Sequence, residues 1–274
     1  MPKKARCIAF TNHKGGTGKT TSCVSIAGFL AKSGHKTLVV DFDPQANATS
    51  ALGIEAASLE RSIYDVLLQE CGHAGADMHE ILLGTGIDNL HLAPSEFDLS
   101  AAEVLLLSNS SPAFTLSRIL DAVRPLYDVI LIDLPTSSGI LTINGICAAE
   151  QIVVPFEPSI FSCEALDNLT RSLEMIHEKT GHSVDLSMAL LTRSIPPGLF
   201  AWLRGKTGPC REIEAALKKT FATVFVIPES VEIYRSQQQG LPLSHYAPKC
   251  AAGVAYKEIA RCIAEEKFNH RLEG

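Results

Sequence analysis

The feature that most constrains the fold is a glycine-rich segment near the amino terminus, residues 12–21, with the sequence NHKGGTGKTT. A β-rich run over residues 6–11 precedes it, and residues 20–33 show helical spacing that ends at Gly34. Glycines let backbone N–H groups approach a phosphate closely, and a helix that begins after the loop adds its positive dipole end. The segment predicts a phosphate-binding loop formed by Lys14, Gly15, Gly16, Thr17, Gly18, Lys19, Thr20 and Thr21.

Two lysines lie in this loop, and they have different predicted roles. Lys19 is expected to reach the β- and γ-phosphates of a nucleotide, and the Thr20 hydroxyl is expected to ligate Mg²⁺. The pattern G-x-x-x-x-G-K-[ST] is not met, because its first glycine falls on His13. Lys14 is the extra lysine. Directed at its own nucleotide, it would crowd one phosphate chain with two ammonium groups; directed away, it could reach the nucleotide of a second subunit. The sequence leaves both options open.

Further apolar runs, separated by helical patterns, indicate the rest of a sheet. They cover residues 36–41, 127–133, 151–155, 185–192 and 223–227, and helical spacing appears over 166–176 and about 254–266. Strands that are apolar on both faces and alternate with helices are typical of parallel sheets. We therefore expect one α/β domain over residues 1–274. It is a doubly wound, mostly parallel sheet with helices on both faces, and it binds its ligand at the carboxyl ends of the strands.

Composition excludes several classes of protein. Hydrophobic residues make up 46% of the 274 residues, which argues against disorder. No apolar run approaches the roughly 20 residues that a membrane-spanning helix needs. The first residues, MPKK, precede an apolar stretch that is too short for a signal peptide. We therefore expect a cytoplasmic protein.

Carboxylates end two of the predicted strands. Asp41 and Asp43 end the second strand, and alternation places them on one side of it. Asp133 ends the run over residues 127–133. Beside a nucleotide, an acid such as Asp43 could hold a Mg²⁺-bound water or orient the attacking water, and Asp133 is expected to support Mg²⁺. Asp41 fits a helix cap as well as it fits a functional acid. The loop at residues 134–139 is expected to lie near a γ-phosphate and to sense hydrolysis.

Two of these segments together resemble the ParA/Soj family of partition ATPases, which belongs with MinD to the deviant P-loop ATPases. The first is KGGTGKTT at residues 14–21, and the second is VVDFDPQANAT at residues 39–49. Weaker similarities at 127–133, 227–228, 240–242 and 253–256 extend the resemblance over nearly the whole chain. Only about five residues precede the first strand, so the chain is similar to the short, Soj-like form that lacks an N-terminal DNA-binding domain.

The resemblance implies an ATPase that uses ATP and Mg²⁺ and forms a homodimer. Two subunits sandwich two ATP molecules, and Lys14 of each contacts the phosphates of the other. The catalytic residues that the resemblance implies are Lys14, Lys19 and Asp43. Thr192 and Pro228 frame the adenine, although Thr192 stands where many relatives have Asn or Asp. The ATP-bound dimer binds DNA without sequence preference and associates with the nucleoid. A ParB-like partner stimulates hydrolysis and releases the dimer.

A basic stretch over residues 191–220 supplies candidates for the DNA contacts. It holds six basic residues against two acidic ones, and binding to DNA without sequence preference requires several such phosphate contacts. An ordinary solvated helix face is the alternative. Glu229 and Glu232 depart from the family pattern after the Ile-Pro pair at 227–228. The candidates are Arg193, Arg204, Lys206, Arg211, Lys218 and Lys219.

Two other functions share the nucleotide residues. Positioning ATPases that space a protein cargo over the nucleoid, such as chemotaxis clusters or microcompartments, have the same fold. The sequence does not separate them from ATPases of chromosome or plasmid partition. A MinD-like ATPase needs an amphipathic membrane helix at its carboxyl terminus. Residues 264–274 contain only Phe268 and Leu272 as strongly apolar residues, beside three glutamates, so no membrane partner is expected.

Overall fold

The computed structural model describes residues 4–159, 162–194 and 209–266. These residues form an eight-stranded sheet in the spatial order β3-β4-β2-β5-β1-β6-β7-β8. Neighbouring strands run parallel, apart from the antiparallel pair β3–β4. The strands are β1 (Arg6–Phe10), β2 (Thr37–Asp41), β3 (Leu83–Gly84), β4 (Leu90–Ala93), β5 (Val129–Asp133), β6 (Gln151–Phe156), β7 (Asp185–Ser194) and β8 (Thr223–Pro228).

Helices connect the strands and cover the sheet. The longer ones are α1 (Lys19–Lys32), α3 (Ile63–Glu70), α7 (Ile140–Ala148), α8 (Ser162–Thr180), α9 (Pro209–Thr220), α10 (Val231–Gln238) and α12 (Ala251–Ala264). The shorter ones are α2 (Asn47–Ala51), α4 (Met78–Ile81), α5 (Ala102–Leu107), α6 (Thr115–Asp121) and α11 (Leu243–Tyr246).

Alternation along the strands divides the apolar core between the two faces of the sheet. Cys7 and Ala9 of β1 pack on the face that α3, α7 and α8 cover. Ile8 and Phe10 pack on the other face, under α1 and α12. Each face of the central strands is therefore removed from water, and this burial is the main favourable term in folding. The predicted doubly wound, mostly parallel sheet with helices on both faces is confirmed.

Two elements differ from the sequence prediction. Strands β3 and β4 were not predicted: β3 has two residues, and β4 has four with an exposed histidine among them, so neither forms a long apolar run. Helix α12 begins at Ala251 rather than near residue 254, because the Cys250 sulfur accepts a hydrogen bond from the Gly253 N–H at 3.3 Å and caps the helix. None of the described helices is both long and apolar enough to cross a membrane.

The strand register determines which side chains meet at the carboxyl edge of the sheet. Strand β5 lies between β1 and β2, and Asp133 at its end pairs in register with Phe10 of β1 and with Asp41 of β2. The loops that follow β1, β2 and β5 therefore emerge side by side. The phosphate loop and both acid-bearing strand ends are brought to one place by this pairing.

Candidate active site

The loop between β1 and α1 borders a groove at the carboxyl edge of the sheet. Gly16 and Gly18 have left-handed backbone conformations, with φ of 75° and 90°, which residues other than glycine adopt only at an energetic cost. Gly18 is the N-cap of α1, and within the described residues no side chain caps this helix end. The first N–H groups of α1 and its positive dipole end therefore remain for an anion.

Two adjoining cavities form the groove. The first, of about 580 Å³, is lined by the glycine-rich loop together with Asp43 and Thr136. The second, of about 640 Å³, is lined in part by Ile227, Pro228 and Tyr256. The first cavity offers backbone amides and a lysine to phosphates, and the second offers apolar side chains to a base. Both cavities are lined by Gly18, Thr21, Arg193 and Gln237.

Lys19 and Thr20 line the first cavity, and Asp133 lies buried behind them. The Thr20 hydroxyl donates to Asp133 Oδ2 at 2.6 Å. Asp133 is fully buried, and burial, reinforced by the nearby Asp41, raises the pKa of its carboxyl well above the usual range. Burial lowers the pKa of the Lys19 amine, while the carboxylates of Asp133 and Asp43 oppose that shift. Burial thus disfavours the charged form of both Lys19 and Asp133, and the attraction between the amine and the carboxylates opposes that effect.

The same residues fit a hydrated Mg²⁺ ion. Asp133 Oδ1 is buried, and it has no hydrogen-bond partner among the described residues. A buried acceptor left without a partner is costly, and a divalent cation with its water ligands would satisfy it. Hydroxyl and carboxylate oxygens are the ligands that Mg²⁺ prefers. Thr20 can donate its proton to Asp133 and still offer a lone pair to the metal.

The two aspartates at the end of β2 have separate roles. Asp41 is buried, and its Oδ2 accepts hydrogen bonds from the Thr49 N–H and hydroxyl, both at 2.7 Å. Asp41 therefore anchors α2 and is a structural residue, although burial raises its pKa to about 6. Asp43 lies in the wall of the first cavity. Its backbone is held there because the Ser95 hydroxyl donates to its carbonyl oxygen at 2.7 Å.

The loop after β5 lies beside the phosphate loop. Thr136 lines the first cavity, and the Ser138 hydroxyl lies 3.0 Å from Nδ1 of His13. His13 is partly buried, and burial together with the nearby Lys19 lowers the pKa of its imidazole. A hydrogen bond between an imidazole and a hydroxyl thus joins the two loops that flank the phosphate position.

Lys14 points away from the groove of its own chain. Its amine lies 3.3 Å from Glu157 Oε2 and 3.3 Å from the Ser159 hydroxyl, and it is not among the residues that line either cavity. Its backbone is fixed by Asn12, whose Oδ1 accepts from the Lys14 N–H at 3.0 Å and whose Nδ2 donates to the Pro155 carbonyl at 2.7 Å. Of the two directions that the sequence left open, the structure has the outward one.

Comparison with known proteins identifies the family. The AAA_31 family, described as an AAA domain, matches residues 5–186. The sporulation initiation inhibitor protein Soj of Bacillus subtilis (strain 168) is 34% identical over 262 residues, which cover 94% of this chain and 98% of Soj. The chromosome-partitioning ATPase Soj of Treponema pallidum (strain Nichols) is 35% identical over 261 residues, which cover 94% and 96%. The chain belongs to the ParA/Soj family of P-loop ATPases.

A solved structure has a similar fold. Cobyrinic acid a,c-diamide synthase from Mycobacterium smegmatis, with bound ATP analog and magnesium, is similar to this chain with a TM-score of 0.76 and 26% sequence identity. The match covers 97% of each chain. The described part of this ParA/Soj member therefore shares its sheet and helix arrangement with that protein.

The two residues expected at the adenine both border the second cavity of the ParA/Soj chain. Pro228 lines it with an apolar ring. Thr192 also lines it, but its hydroxyl donates to the Thr17 carbonyl at 2.8 Å and lies 3.1 Å from the carbonyl of Phe156. Its methyl group lies close to Gly18: a Cβ at Gly18 would be 3.4 Å from it. Thr192 therefore ties β6 and β7 to the phosphate loop, and only its remaining surface faces the cavity.

The basic candidates within the described residues do not lie together on one surface. Arg193 lies at the carboxyl edge of the sheet and lines both cavities. Lys218 and Lys219 lie at the end of α9, directly before β8 begins, and β7 and β8 are parallel, so these lysines lie at the opposite edge. Lys218 also pairs with Glu214 at 2.6 Å. Arg211 lies in α9, and Arg204 and Lys206 lie outside the described residues. Arg193 is thus separated from the helix with which the sequence grouped it.

Two residues at the site were missed by the sequence analysis. Glu157 follows β6 and pairs with Lys14, and Gln237 of α10 donates to the Thr21 hydroxyl at 3.0 Å and lines both cavities. An acid two residues after the predicted strand at 151–155 was the available signal for Glu157, because ligand residues collect at the carboxyl ends of parallel strands. No comparable signal marks Gln237, which is one of several polar residues on a surface helix.

Proposed function

We propose that this ParA/Soj ATPase is an ATP-driven dimerising switch for chromosome or plasmid partition. Its ATP-bound homodimer binds DNA without sequence preference and so associates with the nucleoid, and a ParB-like protein stimulates hydrolysis and releases it. Membership in the ParA/Soj family supports the ATPase, and the Soj relative from Treponema pallidum carries chromosome partitioning in its name.

Nucleotide binding belongs to the buried set of residues in this proposal. Lys19 neutralises charge on the terminal phosphates, and the N-terminus of α1 binds them through its N–H groups. Thr20 and Asp133 hold Mg²⁺, which neutralises phosphate charge when it is bound. The second cavity takes the adenine against Pro228 and the exposed part of Thr192.

Asp43 is the residue proposed to orient the attacking water. Its carboxylate lines the phosphate cavity, and one oxygen accepts from the Gln45 N–H at 3.0 Å, which fixes its orientation. Asp133 lies deeper and is fully buried. The two acids therefore have different proposed roles. Asp133 binds Mg²⁺, and Asp43 holds the attacking water molecule in one orientation.

The observation that supports the proposed dimer is the outward direction of the Lys14 side chain. A lysine that served its own nucleotide would line the cavity beside Lys19, but the amine of Lys14 lies on Glu157 and Ser159 instead. An exposed cation at the rim of a phosphate groove can reach an anion on a second copy of the chain. Positive charge supplied in trans to a transferring phosphoryl group contributes about 10³–10⁵ in rate in other systems.

The test is sedimentation of wild-type and Lys14→Ala protein with ATP and Mg²⁺, beside a nucleotide titration of each. We expect the wild type to dimerise and the variant to stay monomeric, with nucleotide affinity retained because Lys19 and Thr20 remain. Lys36→Ala serves as the matched control, since Lys36 is exposed at the opposite edge of the sheet, just before β2. A Lys14→Ala protein that dimerises like the wild type would contradict the shared nucleotide.

The DNA contacts are proposed for α9 and the segment before it, through Arg211, Lys218 and Lys219 together with Arg204 and Lys206. Arg193, which lines the nucleotide groove, is left out of this set. Binding of the ATP-loaded protein to DNA, measured at rising salt, tests the proposal, because phosphate contacts make affinity fall steeply with salt. Binding that does not depend on ATP, or does not occur, would favour an ATPase that acts without DNA.

A further inference from the structure

One carboxylate lies between two cations that belong to different parts of the site. Glu157 Oε2 is 3.3 Å from the Lys14 amine, and Glu157 Oε1 is 3.4 Å from Nη1 of Arg193. Lys14 lines neither cavity of the groove, whereas Arg193 lines both. Glu157 therefore connects the lysine that faces a second subunit with the arginine that faces the chain's own nucleotide.

A bulge in the sheet directs Arg193 to this position. The β7–β8 ladder pairs Leu191 with Val226 and then Ser194 with Pro228, so that Arg193 is outside the regular pairing. Arg193 has φ of 50°, a left-handed conformation that is uncommon for a residue with a side chain. Bulges change the direction of a side chain, and backbone strain of this kind collects at functional sites.

Glu157 is held in place from its backbone. It follows β6, and the carbonyls of the two preceding residues are bound from outside the strand: that of Pro155 accepts from Asn12, and that of Phe156 lies 3.1 Å from the Thr192 hydroxyl. Asn12 also binds the Lys14 N–H, and Thr192 also binds the Thr17 carbonyl. The backbone segments that carry Glu157, Lys14 and Arg193 are thus connected by these hydrogen bonds.

We propose that Glu157 is a positioning residue that restrains Lys14 on its own subunit, and that Arg193 takes over the carboxylate when Lys14 moves to the phosphates of the partner. This rests on the proposed ATP-driven dimer. Its physical basis is that breaking an ion pair leaves a partly desolvated charge unpaired; the side chain of Glu157 is 31% exposed. Arg193 lowers that cost, because it already lies near the other oxygen.

Removing the carboxylate should make dimerisation easier. Glu157→Gln keeps the shape of the side chain and removes the charge that holds Lys14. Partly exposed ion pairs are weak, and each dimer releases two of these lysines, so the dimer dissociation constant should fall by about two- to thirtyfold. Arg193→Ala should shift the constant in the opposite direction by a similar factor, and Arg193→Lys, which keeps the charge, should shift it less.

A double-mutant cycle separates this device from a general structural effect. If Arg193 acts on Lys14 through Glu157, Arg193→Ala should have no effect on dimerisation in the Glu157→Gln background. The measurement is sedimentation equilibrium at saturating Mg²⁺ and a hydrolysis-resistant ATP analog. Nucleotide affinity is titrated separately for each variant. Glu258→Gln, which breaks an exposed ion pair with Arg261 on α12, is the matched control and should leave the constant unchanged.

The outcomes distinguish this proposal from the proposed function. A wild type that dimerises while Glu157→Gln has the same dissociation constant would overturn the restraint alone. An equal effect of Arg193→Ala in both backgrounds would overturn the takeover by Arg193. If wild type and Glu157→Gln both remain monomeric with the analog, the dimer itself is wrong and the restraint falls with it. A Glu157→Gln protein that dimerises where the wild type does not would support the restraint strongly.

Discussion

The two sides of the groove differ in how far their ionisable side chains are exposed to solvent. On one side, around β1, β2 and β5, Lys19 and Asp133 are buried, and their pKa values are shifted by that burial. On the other side, at the ends of β6 and β7, the side chains of Lys14 and Arg193 are 38% and 58% exposed and form ion pairs longer than 3 Å with Glu157. Buried charges interact strongly and tolerate little change, whereas exposed pairs are weak and exchange partners easily.

The difference indicates a division of labour. The buried side is suited to bind a metal-nucleotide firmly in each subunit, because its unsatisfied acceptor and desolvated lysine gain most from a ligand. The exposed side is suited to a reversible event, because the pairs that must break are worth little. The proposed switch, which must assemble and then come apart, needs both properties.

The largest effect is expected on the buried side. Lys19→Ala removes the only lysine that lines the phosphate cavity among the described residues, so ATP turnover should be lost, by at least about a hundredfold. Phosphate release at saturating ATP measures it, with Lys36→Ala as the control. Turnover near the wild-type rate would mean that the buried side does not bind the phosphates.

The next effect separates chemistry from binding on that same side. Asp43→Ala should lower the hydrolysis rate by about 10²-fold, while ATP affinity changes little, because Asp43 lines the cavity wall and Thr20 and Asp133 remain. The ATP-bound dimer should then accumulate. Single-turnover hydrolysis and nucleotide titration measure the two quantities separately. Equal losses in both would make Asp43 a binding residue and remove the distinction from Asp133.

A smaller effect tests whether the basic residues belong to the groove or to α9. Reversing both Lys218 and Lys219 to Glu should weaken DNA binding several-fold and reduce its salt dependence by about one unit per lost phosphate contact. ATP affinity should not change, since α9 ends at the far edge of the sheet. Arg193→Glu should show the reverse pattern, with ATP affinity altered first. DNA binding and ATP binding of each variant are measured side by side. If both charge reversals weakened DNA binding equally, Arg193 would belong to the same DNA-binding surface as α9.

The smallest effect concerns stability of the nucleotide-free protein. The carboxyl of Asp41 has a pKa of about 6 in the folded state against an ordinary value of 3.8. The folded state therefore binds this proton more tightly than the unfolded state, and the favourable contribution of Asp41 is present below about pH 4 and is lost as the pH rises toward 6. Asp41→Asn should flatten this part of the stability profile. Thermal unfolding between pH 4 and 7 measures this dependence. If stability changed with pH equally in the wild type and in Asp41→Asn, the dependence would come from a group other than Asp41.

Much of the fold and part of the site were predictable because they depend on local patterns. The central strands β1, β2, β5 and β6 are short apolar runs, and each was expected within two residues of its observed bounds. Strands β3 and β4 were not, since two or four residues with an exposed histidine give no periodic signal. Strand β4 joins the sheet by pairing with β2, and β3 joins it by pairing with β4; tertiary packing sets both pairings.

The sequence by itself determined the phosphate loop, the parallel sheet and the family, because glycine conformation, the position of Lys19 before a helix, and strand periodicity are properties of neighbouring residues. Only the tertiary structure decided the direction of Lys14, its pairing with Glu157 and the removal of Arg193 from the basic stretch. Lys14 and Glu157 are 143 positions apart, and they meet because β1 pairs with β6 in one register. Arg193 leaves its sequence neighbours because a bulge and a parallel crossover direct it to the opposite edge of the sheet from Lys218. Such contacts depend on which strands pair, and a linear pattern of residue types does not encode that choice directly.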